Sequence, residues 1–202
     1  MLVFYPATWL SAGVKKIGIY GGTFDPIHHA HLILARETLE QLELEEVVFV
    51  PAAISPHKLE ERPSPPEFRL EMLRAALTGE PRFTIDEREL ERPPPSFTVE
   101  TMEELARARP GQKLFYLIGS DNLAALPSWH RFHDLAKLVE FVVLDRTGGA
   151  AKSSYRTIRR PIDISSTGIR NRVAQGRSIR YLVPPAVEEI IRRRHLYQDS
   201  HR

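Results

Sequence analysis

The chain has 202 residues, 42% of them hydrophobic and 27% charged, which is enough apolar material for one packed domain. Lysine and arginine number 28 against 26 aspartates and glutamates, and this small excess does not indicate a polynucleotide-binding surface. The absence of cysteine excludes disulfides, thiolate metal sites and cysteine nucleophiles.

The first 14 residues, MLVFYPATWLSAGV, are mostly apolar. They make a poor signal peptide, because they lack a basic start and Pro6 interrupts the apolar run. No window approaches the roughly 20 apolar residues of a membrane span. We therefore predict a flexible extension over residues 1–14, one domain over 15–202, no membrane partner and a cytoplasmic location, which the lack of cysteine also suits.

Strand and helix patterns alternate from the start of this domain. The run KKIGIY (15–20) predicts a buried strand that feeds a glycine turn. From residue 30, apolar residues recur at three- and four-residue steps, which predicts a helix of about three turns. EEVVFVP (45–51) predicts a second buried strand. This order is the βαβ unit of a parallel sheet.

The rest of the chain continues the alternation after a proline-rich loop. In order, the patterns predict a helix over 67–77, a strand over 82–89, a helix over 97–108, strands over 113–119 and 138–146, a loop rich in Gly, Ala, Ser and Lys, and a terminal helix over 185–194. The predicted fold is α/β: a single doubly wound, mostly parallel sheet with helices on both faces. Its ligand site should lie at the carboxyl ends of the strands.

The segment GGTFDPIHHAH (21–31) leaves the first strand and enters the first helix, where free N–H groups favour an anion. Gly21 and Gly22 permit close backbone approach, and Thr23 adds a hydroxyl. His28 and His31 are three residues apart, so both should lie on one side of the first helical turn and face one phosphoryl group. Taken alone, paired histidines fit a surface or metal-binding pair equally well.

A second segment, ISSTGIR (164–170), offers a similar anion site. Ser165, Ser166 or Thr167 can cap a helix start, and Arg170 can clamp a phosphate. A simple helix cap is the commoner meaning of such a run. Between the two segments, Asp121 follows a predicted strand and could accept from sugar hydroxyls or cap the next helix.

The two segments, in this order at opposite ends of one α/β domain, resemble the signatures of the nucleotidyltransferase superfamily. The connecting chain resembles bacterial nicotinate-nucleotide adenylyltransferases from about residue 17 to 197. The resemblance includes PHK (56–58), DERE (86–89), PSFT (95–98), GSDNL (119–123) and PSW (127–129). One departure is Ala30, where the family usually has glycine, and we expect this smallest replacement to be tolerated.

The resemblance implies a Rossmann-like fold and transfer of AMP from ATP to nicotinate mononucleotide by direct attack on the α-phosphate, giving nicotinate adenine dinucleotide and pyrophosphate for NAD biosynthesis. It implies ATP contacts at Gly21, Gly22, Thr23, Phe24, His28, His31, Ile164, Ser165, Ser166, Thr167 and Arg170, with catalytic roles for His28, His31, Thr23 and Arg170. It implies nicotinate mononucleotide contacts at Lys58, Thr98, Asp121, Trp129 and His130. Mg²⁺ is the implied cofactor, held mainly by ATP phosphates and water and not by protein ligands.

Several alternatives stay open at this point. Trp129 could be a core residue, and Lys58 could be a solvated charge, as could Arg69, a further candidate phosphate contact. The same superfamily also transfers to phosphopantetheine, which would not need a carboxylate-binding pocket around Trp129. A non-enzymatic nucleotide sensor or metal-binding protein could use His28, His29, His31 and His57, but it would leave ISSTGIR, PSFT and PSW without a role.

The expected partners are ATP and nicotinate mononucleotide, and a homo-oligomer is compatible with the sequence. The basic run over 192–195 is interpreted as a solvated helix end.

Overall fold

The computed structural model describes residues 14–53, 63–148 and 154–198. The strands are β1 (Lys16–Gly22), β2 (Glu46–Pro51), β3 (Phe83–Ile85), β4 (Lys113–Gly119), β5 (Val139–Asp145) and β6 (Arg156–Arg159). The helices are α1 (His29–Gln41), α2 (Pro66–Leu77), α3 (Arg88–Glu91), α4 (Thr98–Ala108), α5 (Phe132–Leu138), α6 (Ser166–Ala174) and α7 (Pro185–Arg193). Short 3₁₀ turns lie at Ser120–Asn122 and Leu126–Ser128.

The six strands form one sheet in the order β3-β2-β1-β4-β5-β6, and every neighbouring pair is parallel. The chain builds outward from β1 to β3, then returns to place β4 on the other side of β1 and builds outward again to β6. The point between β1 and β4, where the strand order reverses, is where open α/β sheets bind ligands at the carboxyl ends of their strands. The fold therefore places the candidate site beyond Gly22 and Gly119.

Helices cover both faces of the sheet, as predicted. Successive side chains of β4 point to opposite faces. Phe115 and Leu117 lie in the core shared with α1, α2, α6 and α7. Leu114, Tyr116 and Ile118 lie in the core shared with α4 and α5. The predicted doubly wound fold is thereby confirmed.

Two predicted elements differ from the structure. The strand expected over 82–89 ends at Ile85, because the Asp86 carboxylate accepts a hydrogen bond from the Arg88 amide at 3.2 Å and the chain turns into α3. The strand β6 lies in the part of the chain expected to be a loop. It has one buried residue, Ile158, which is too weak a pattern to indicate a strand.

Three further sequence predictions concern the whole chain. The boundary between residues 14 and 15 stays a prediction, since residues 1–13 lie outside the described part. Ala30 is fully buried in α1, so its methyl group is accommodated within the protein. Within the described residues, no helix has both the length and the apolar character needed to cross a bilayer.

Candidate active site

The first candidate segment forms the loop between β1 and α1. Gly21 at the end of β1 faces β4, and a Cβ there would overlap the hydroxyl oxygen of Tyr116. A Cβ at Gly22 would lie 3.0 Å from ring atoms of Phe24. Both glycines are therefore needed for close packing at the carboxyl end of β1, which agrees with the close backbone approach predicted for this segment.

The two predicted histidines lie face to face at the start of α1. The rings of His28 and His31 are stacked, with centroids 3.7 Å apart and planes inclined by 20°. The Nδ1 atom of His31 accepts a hydrogen bond from the backbone N–H of His28 at 3.3 Å. Because Nδ1 accepts, the proton of a neutral His31 ring is on Nε2, which is then a hydrogen-bond donor.

Both histidines are neutral near pH 7. Burial lowers the pKa of His28 to about 3, and the positive charges of Arg146 and His29 act in the same direction. Burial, followed by the charges of His28 and Arg146, lowers the pKa of His31 well below its ordinary value. His28 is fully buried, and neither of its ring nitrogens has a hydrogen-bond partner among the described residues. Buried polar atoms without partners are uncommon in folded proteins and indicate a place for a polar ligand.

The second candidate segment packs directly against the first. The hydroxyl of Ser166 donates to the backbone carbonyl of Pro26 at 2.9 Å. The guanidinium of Arg170 donates through Nη1 to the carbonyl of Asp25 at 2.8 Å and through Nη2 to the hydroxyl of Thr167 at 3.3 Å. Two segments about 140 residues apart in the chain therefore meet at the start of α1.

Ser165 has the plainer of its two predicted roles. Its hydroxyl accepts from the Gly168 amide at 3.1 Å and caps α6. This bond orients the first turn of α6, which carries Ser166 and Thr167. Ile164 precedes this cap, and its carbonyl accepts from Arg146 Nη1 at 3.2 Å.

Arg146 is a candidate residue that the sequence analysis did not select. It follows β5 directly, its charge contributes to the lowered pKa of both histidines, and its guanidinium lies 3.9 Å from the Asp121 carboxylate. It thus links Asp121, the histidine pair and Ile164. The available signal was its position: like Asp121, it follows a buried strand at the carboxyl edge of the sheet.

The residues predicted to bind the pyridine ring gather around Tyr116 and Phe97. Trp129 is half-buried and makes an edge-to-face contact with the Tyr116 ring at 5.9 Å between centroids. The Thr98 side chain hydrogen-bonds the Tyr116 hydroxyl. His130 is exposed, with its ring centroid 4.5 Å from that of Phe97. Since Tyr116 also fills the space beside Gly21, this cluster adjoins the phosphate loop.

Two basic residues proposed from sequence have different outcomes. Lys58 lies outside the described residues, so its role stays a prediction. The interpretation of Arg69 as a phosphate contact or a solvated charge is wrong, because this side chain is 0% exposed. Its guanidinium donates to the carbonyls of Thr23 and Ala52 at 2.8 Å each and to that of Ser64 at 3.0 Å. Arg69 thus ties the start of α2 to the end of β2 and to the phosphate loop.

The described residues contain no group of three or more histidine, aspartate or glutamate side chains arranged to hold a metal ion. The acidic side chain nearest the candidate site, Asp121, lies beside Arg146. These residues fit a divalent cation that arrives on a phosphate ligand better than one held by the protein alone.

Comparison with known proteins gives concordant similarities. The model of the family described as cytidylyltransferase-like matches residues 19–172. A protein of Geobacillus thermodenitrificans named a probable nicotinate-nucleotide adenylyltransferase is 44% identical, covering 90% of this chain and 86% of its own length. A protein of Bacillus pumilus with the same name is 39% identical, covering 92% and 100%.

A solved structure of Plasmodium falciparum nicotinic acid mononucleotide adenylyltransferase, complexed with NaAD, has a TM-score of 0.76 and 21% identity. The match covers 91% of this chain and 97% of that protein. At this level of identity the likeness concerns the fold.

Proposed function

This chain belongs to the nicotinate-nucleotide adenylyltransferases, within the cytidylyltransferase-like family, and we propose that it transfers AMP from ATP to nicotinate mononucleotide. The products are nicotinate adenine dinucleotide and pyrophosphate, as in NAD biosynthesis. The observation that carries the proposal is the contact between Ser166 and Arg170 of α6 and the carbonyls of Pro26 and Asp25. This contact assembles donors from both ends of the chain around one position at the start of α1.

The transfer is a single displacement. A phosphate oxygen of nicotinate mononucleotide forms a bond to the α-phosphorus of ATP, while the bond from that phosphorus to the bridging oxygen of the β-phosphate breaks. The electron pair leaves with pyrophosphate, so no covalent enzyme intermediate is needed. The protein has to align the two phosphates and stabilise negative charge in the transition state.

The residues of the β1–α1 loop are suited to that task. The Nε2–H group of neutral His31 and a ring N–H of His28 are donors for α-phosphate oxygens, together with the Thr23 hydroxyl and loop amides. Because the His28 ring is fully covered, a phosphate reaches it only after neighbouring side chains shift. Neutral imidazoles can donate hydrogen bonds without gaining or losing a proton during the reaction.

The departing pyrophosphate would lie toward α6 and β5. Ser166, Thr167 and Arg170 supply two hydroxyls and a guanidinium there, and Arg146 adds a second positive charge. Lys58 is a further proposed phosphate contact. Mg²⁺ on the ATP phosphates would neutralise part of their charge, and it fits a site in which Arg146, Arg170 and the histidines, rather than carboxylates, surround the reacting phosphates.

The cluster around Tyr116 would bind nicotinate mononucleotide. The half-buried Trp129 offers an aromatic face to the pyridine ring, and the backbone amides of Thr98 and His130 offer donors to its carboxylate. Asp121 would accept from ribose hydroxyls. Donors that face a carboxylate match the amide of nicotinamide mononucleotide poorly, so the enzyme should prefer the nicotinate substrate.

A substrate panel tests the proposal. The purified chain is given ATP and Mg²⁺ with nicotinate mononucleotide, nicotinamide mononucleotide or phosphopantetheine, and pyrophosphate release is measured. We expect the highest kcat/KM with nicotinate mononucleotide. Equal kcat/KM values for the two mononucleotides would contradict the proposed pyridine pocket, and turnover with phosphopantetheine alone would replace the proposed reaction. The cytoplasmic location and the oligomeric state stay predictions.

A further inference from the structure

Asp25, in the middle of the phosphate loop, joins three separate parts of the chain. Its carboxylate is only 5% exposed. One oxygen, Oδ2, accepts from the Ser64 amide at 2.9 Å, and the other, Oδ1, accepts from the Tyr197 hydroxyl at 2.5 Å. The backbone carbonyl of Asp25 accepts from Arg170. A buried carboxylate needs donors to offset its lost hydration, so each of these bonds fixes the loop.

Tyr197 is held in place by the contact between α7 and α2. Arg193 and Arg194 at the end of α7 both pair with Glu71 of α2, and the Arg194 guanidinium lies 5.4 Å from the centroid of the Phe68 ring. The basic run, interpreted from sequence as a solvated helix end, therefore docks the end of the chain. After buried Leu196 the chain turns and directs the Tyr197 side chain to Asp25.

The bond from Tyr197 supports the ATP side of the site. The carbonyl that Arg170 binds belongs to Asp25 itself, and the carbonyl that Ser166 binds belongs to the next residue, Pro26. Without the Tyr197 hydroxyl, the Asp25 Oδ1 atom would lose its donor in a buried position, and the loop would relax to rehydrate it. Such a movement would displace both carbonyls and with them Ser166 and Arg170.

We propose that Tyr197 is a positioning residue for ATP: its hydroxyl holds Asp25 and thereby aligns the phosphate loop with α6. The inference rests on the proposed function, because that function assigns the loop and α6 to ATP. The residues around Tyr116 assigned to the mononucleotide contact neither Asp25 nor Tyr197 in any bond described above. Loss of the Tyr197 hydroxyl should therefore affect ATP and leave the mononucleotide largely unaffected.

The test compares Tyr197→Phe with the unchanged full-length chain and with Tyr181→Phe as a matched control, since Tyr181 is 78% exposed. Initial rates of pyrophosphate release are measured with ATP varied at saturating nicotinate mononucleotide, and in the reverse arrangement. We expect Tyr197→Phe to lower kcat/KM for ATP about tenfold or more, mainly through a higher KM, with the mononucleotide KM changed less than about twofold. Tyr181→Phe should match the unchanged chain.

A double-mutant cycle separates positioning from general destabilisation. In an Asp25→Asn background, Tyr197→Phe should cost less than about threefold in kcat/KM for ATP, because the charged acceptor is already gone. An equal cost in both backgrounds would overturn the proposal, and so would a fall in kcat with both KM values unchanged. If Tyr197→Phe does not fold, as judged by thermal unfolding, the same ATP-selective loss is required of Asp25→Asn alone.

The unchanged chain distinguishes failure of this inference from failure of the proposed function. If it transfers AMP to nicotinate mononucleotide and Tyr197→Phe behaves identically, the positioning role is wrong and the function stands. If the unchanged chain transfers AMP to no mononucleotide, the function itself fails.

Discussion

At the residue scale, the histidine pair has properties that neither ring would have alone. Burial and neighbouring positive charges lower the pKa of both side chains, and stacking at 3.7 Å leaves little room for two charges. The His28 amide occupies Nδ1 of His31 and so decides which nitrogen of that ring carries the proton. Two neutral donors at a helix start suit a reaction in which charge moves between phosphates and no proton has to move.

Replacing His28 with alanine should lower kcat by roughly 10²-fold or more, because a donor to the transition state is lost. His29→Ala is the matched control: it changes the adjacent histidine, which has no proposed role in binding or chemistry, and should have little effect. Both are measured by pyrophosphate release at saturating substrates, with circular dichroism to verify folding. A folded His28→Ala enzyme with near-normal kcat would remove His28 from the mechanism.

The low pKa values of the two histidines also predict how stability depends on pH. In the unfolded chain both rings titrate near pH 6.5, whereas burial lowers the pKa of folded His28 to about 3. The unfolded chain thus binds protons that the folded chain does not. This contribution to stability is complete above about pH 6.5 and is lost as pH falls toward 3, by up to ~1.4 kcal/mol per pH unit for each histidine.

Urea unfolding near pH 7 and near pH 5 measures this effect. We expect the free energy of unfolding to fall less between the two conditions for His28→Gln than for the unchanged chain, because one proton-linked group is gone. His29→Gln should keep the dependence of the unchanged chain. The same decrease in all three proteins would show that His28 is protonated equally in the folded and unfolded states.

At the scale of elements, the β1–β4 pair connects the two halves of the site. Tyr116 on β4 fills the space beside Gly21 on β1, and on its other side it contacts Trp129 and Thr98. One buried side chain thus touches both the phosphate loop and the proposed pyridine pocket. The separation of the two substrates therefore depends on how closely β1 and β4 pack.

Gly21→Ala should destabilise the protein by about 1–3 kcal/mol, because the added methyl group overlaps the Tyr116 hydroxyl. The packed Tyr116 ring cannot move away cheaply. Adding Tyr116→Phe removes the overlapping oxygen and should restore part of the loss, whereas Tyr116→Phe alone serves as the control. Thermal and urea unfolding of the four proteins measure the coupling, and purely additive effects would rule out this steric explanation.

At the scale of the whole molecule, the sheet and its site are complete without the first residues of the chain. β1 begins at Lys16, and the Lys15 carbonyl accepts from the Lys113 amide at 2.8 Å, so the first ladder contact already lies at residue 15. All candidate site residues follow Gly21. A chain that begins at Lys15 should therefore contain every element needed for turnover.

Deleting residues 1–14 should leave kcat and both KM values near those of the full chain, because no site residue and no strand is removed. A deletion through Ile19 is the contrasting variant: it removes most of the central strand and should abolish folding. A large loss of kcat in the shorter deletion would show that the first residues contribute to the site.

The sequence by itself determined the elements and the family. Buried strands and one-sided helices are encoded by local periodicity, and the segments GGTFDPIHHAH and ISSTGIR are recognisable without any neighbour. The same locality explains the errors: one buried residue was too few to indicate β6, and an Asp86 side-chain bond ended β3 early. Both features depend on one or two atoms rather than on a repeating pattern.

The tertiary structure alone decided what each polar side chain contacts. It buried Arg69 among carbonyls and placed Arg146 beside the histidines and Asp121. It also brought Tyr197 to Asp25, and Ser166 to Pro26. The physical reason is that the burial and partners of a side chain depend on segments far away in the chain. A sequence pattern of a few residues contains no information about which of those segments will arrive.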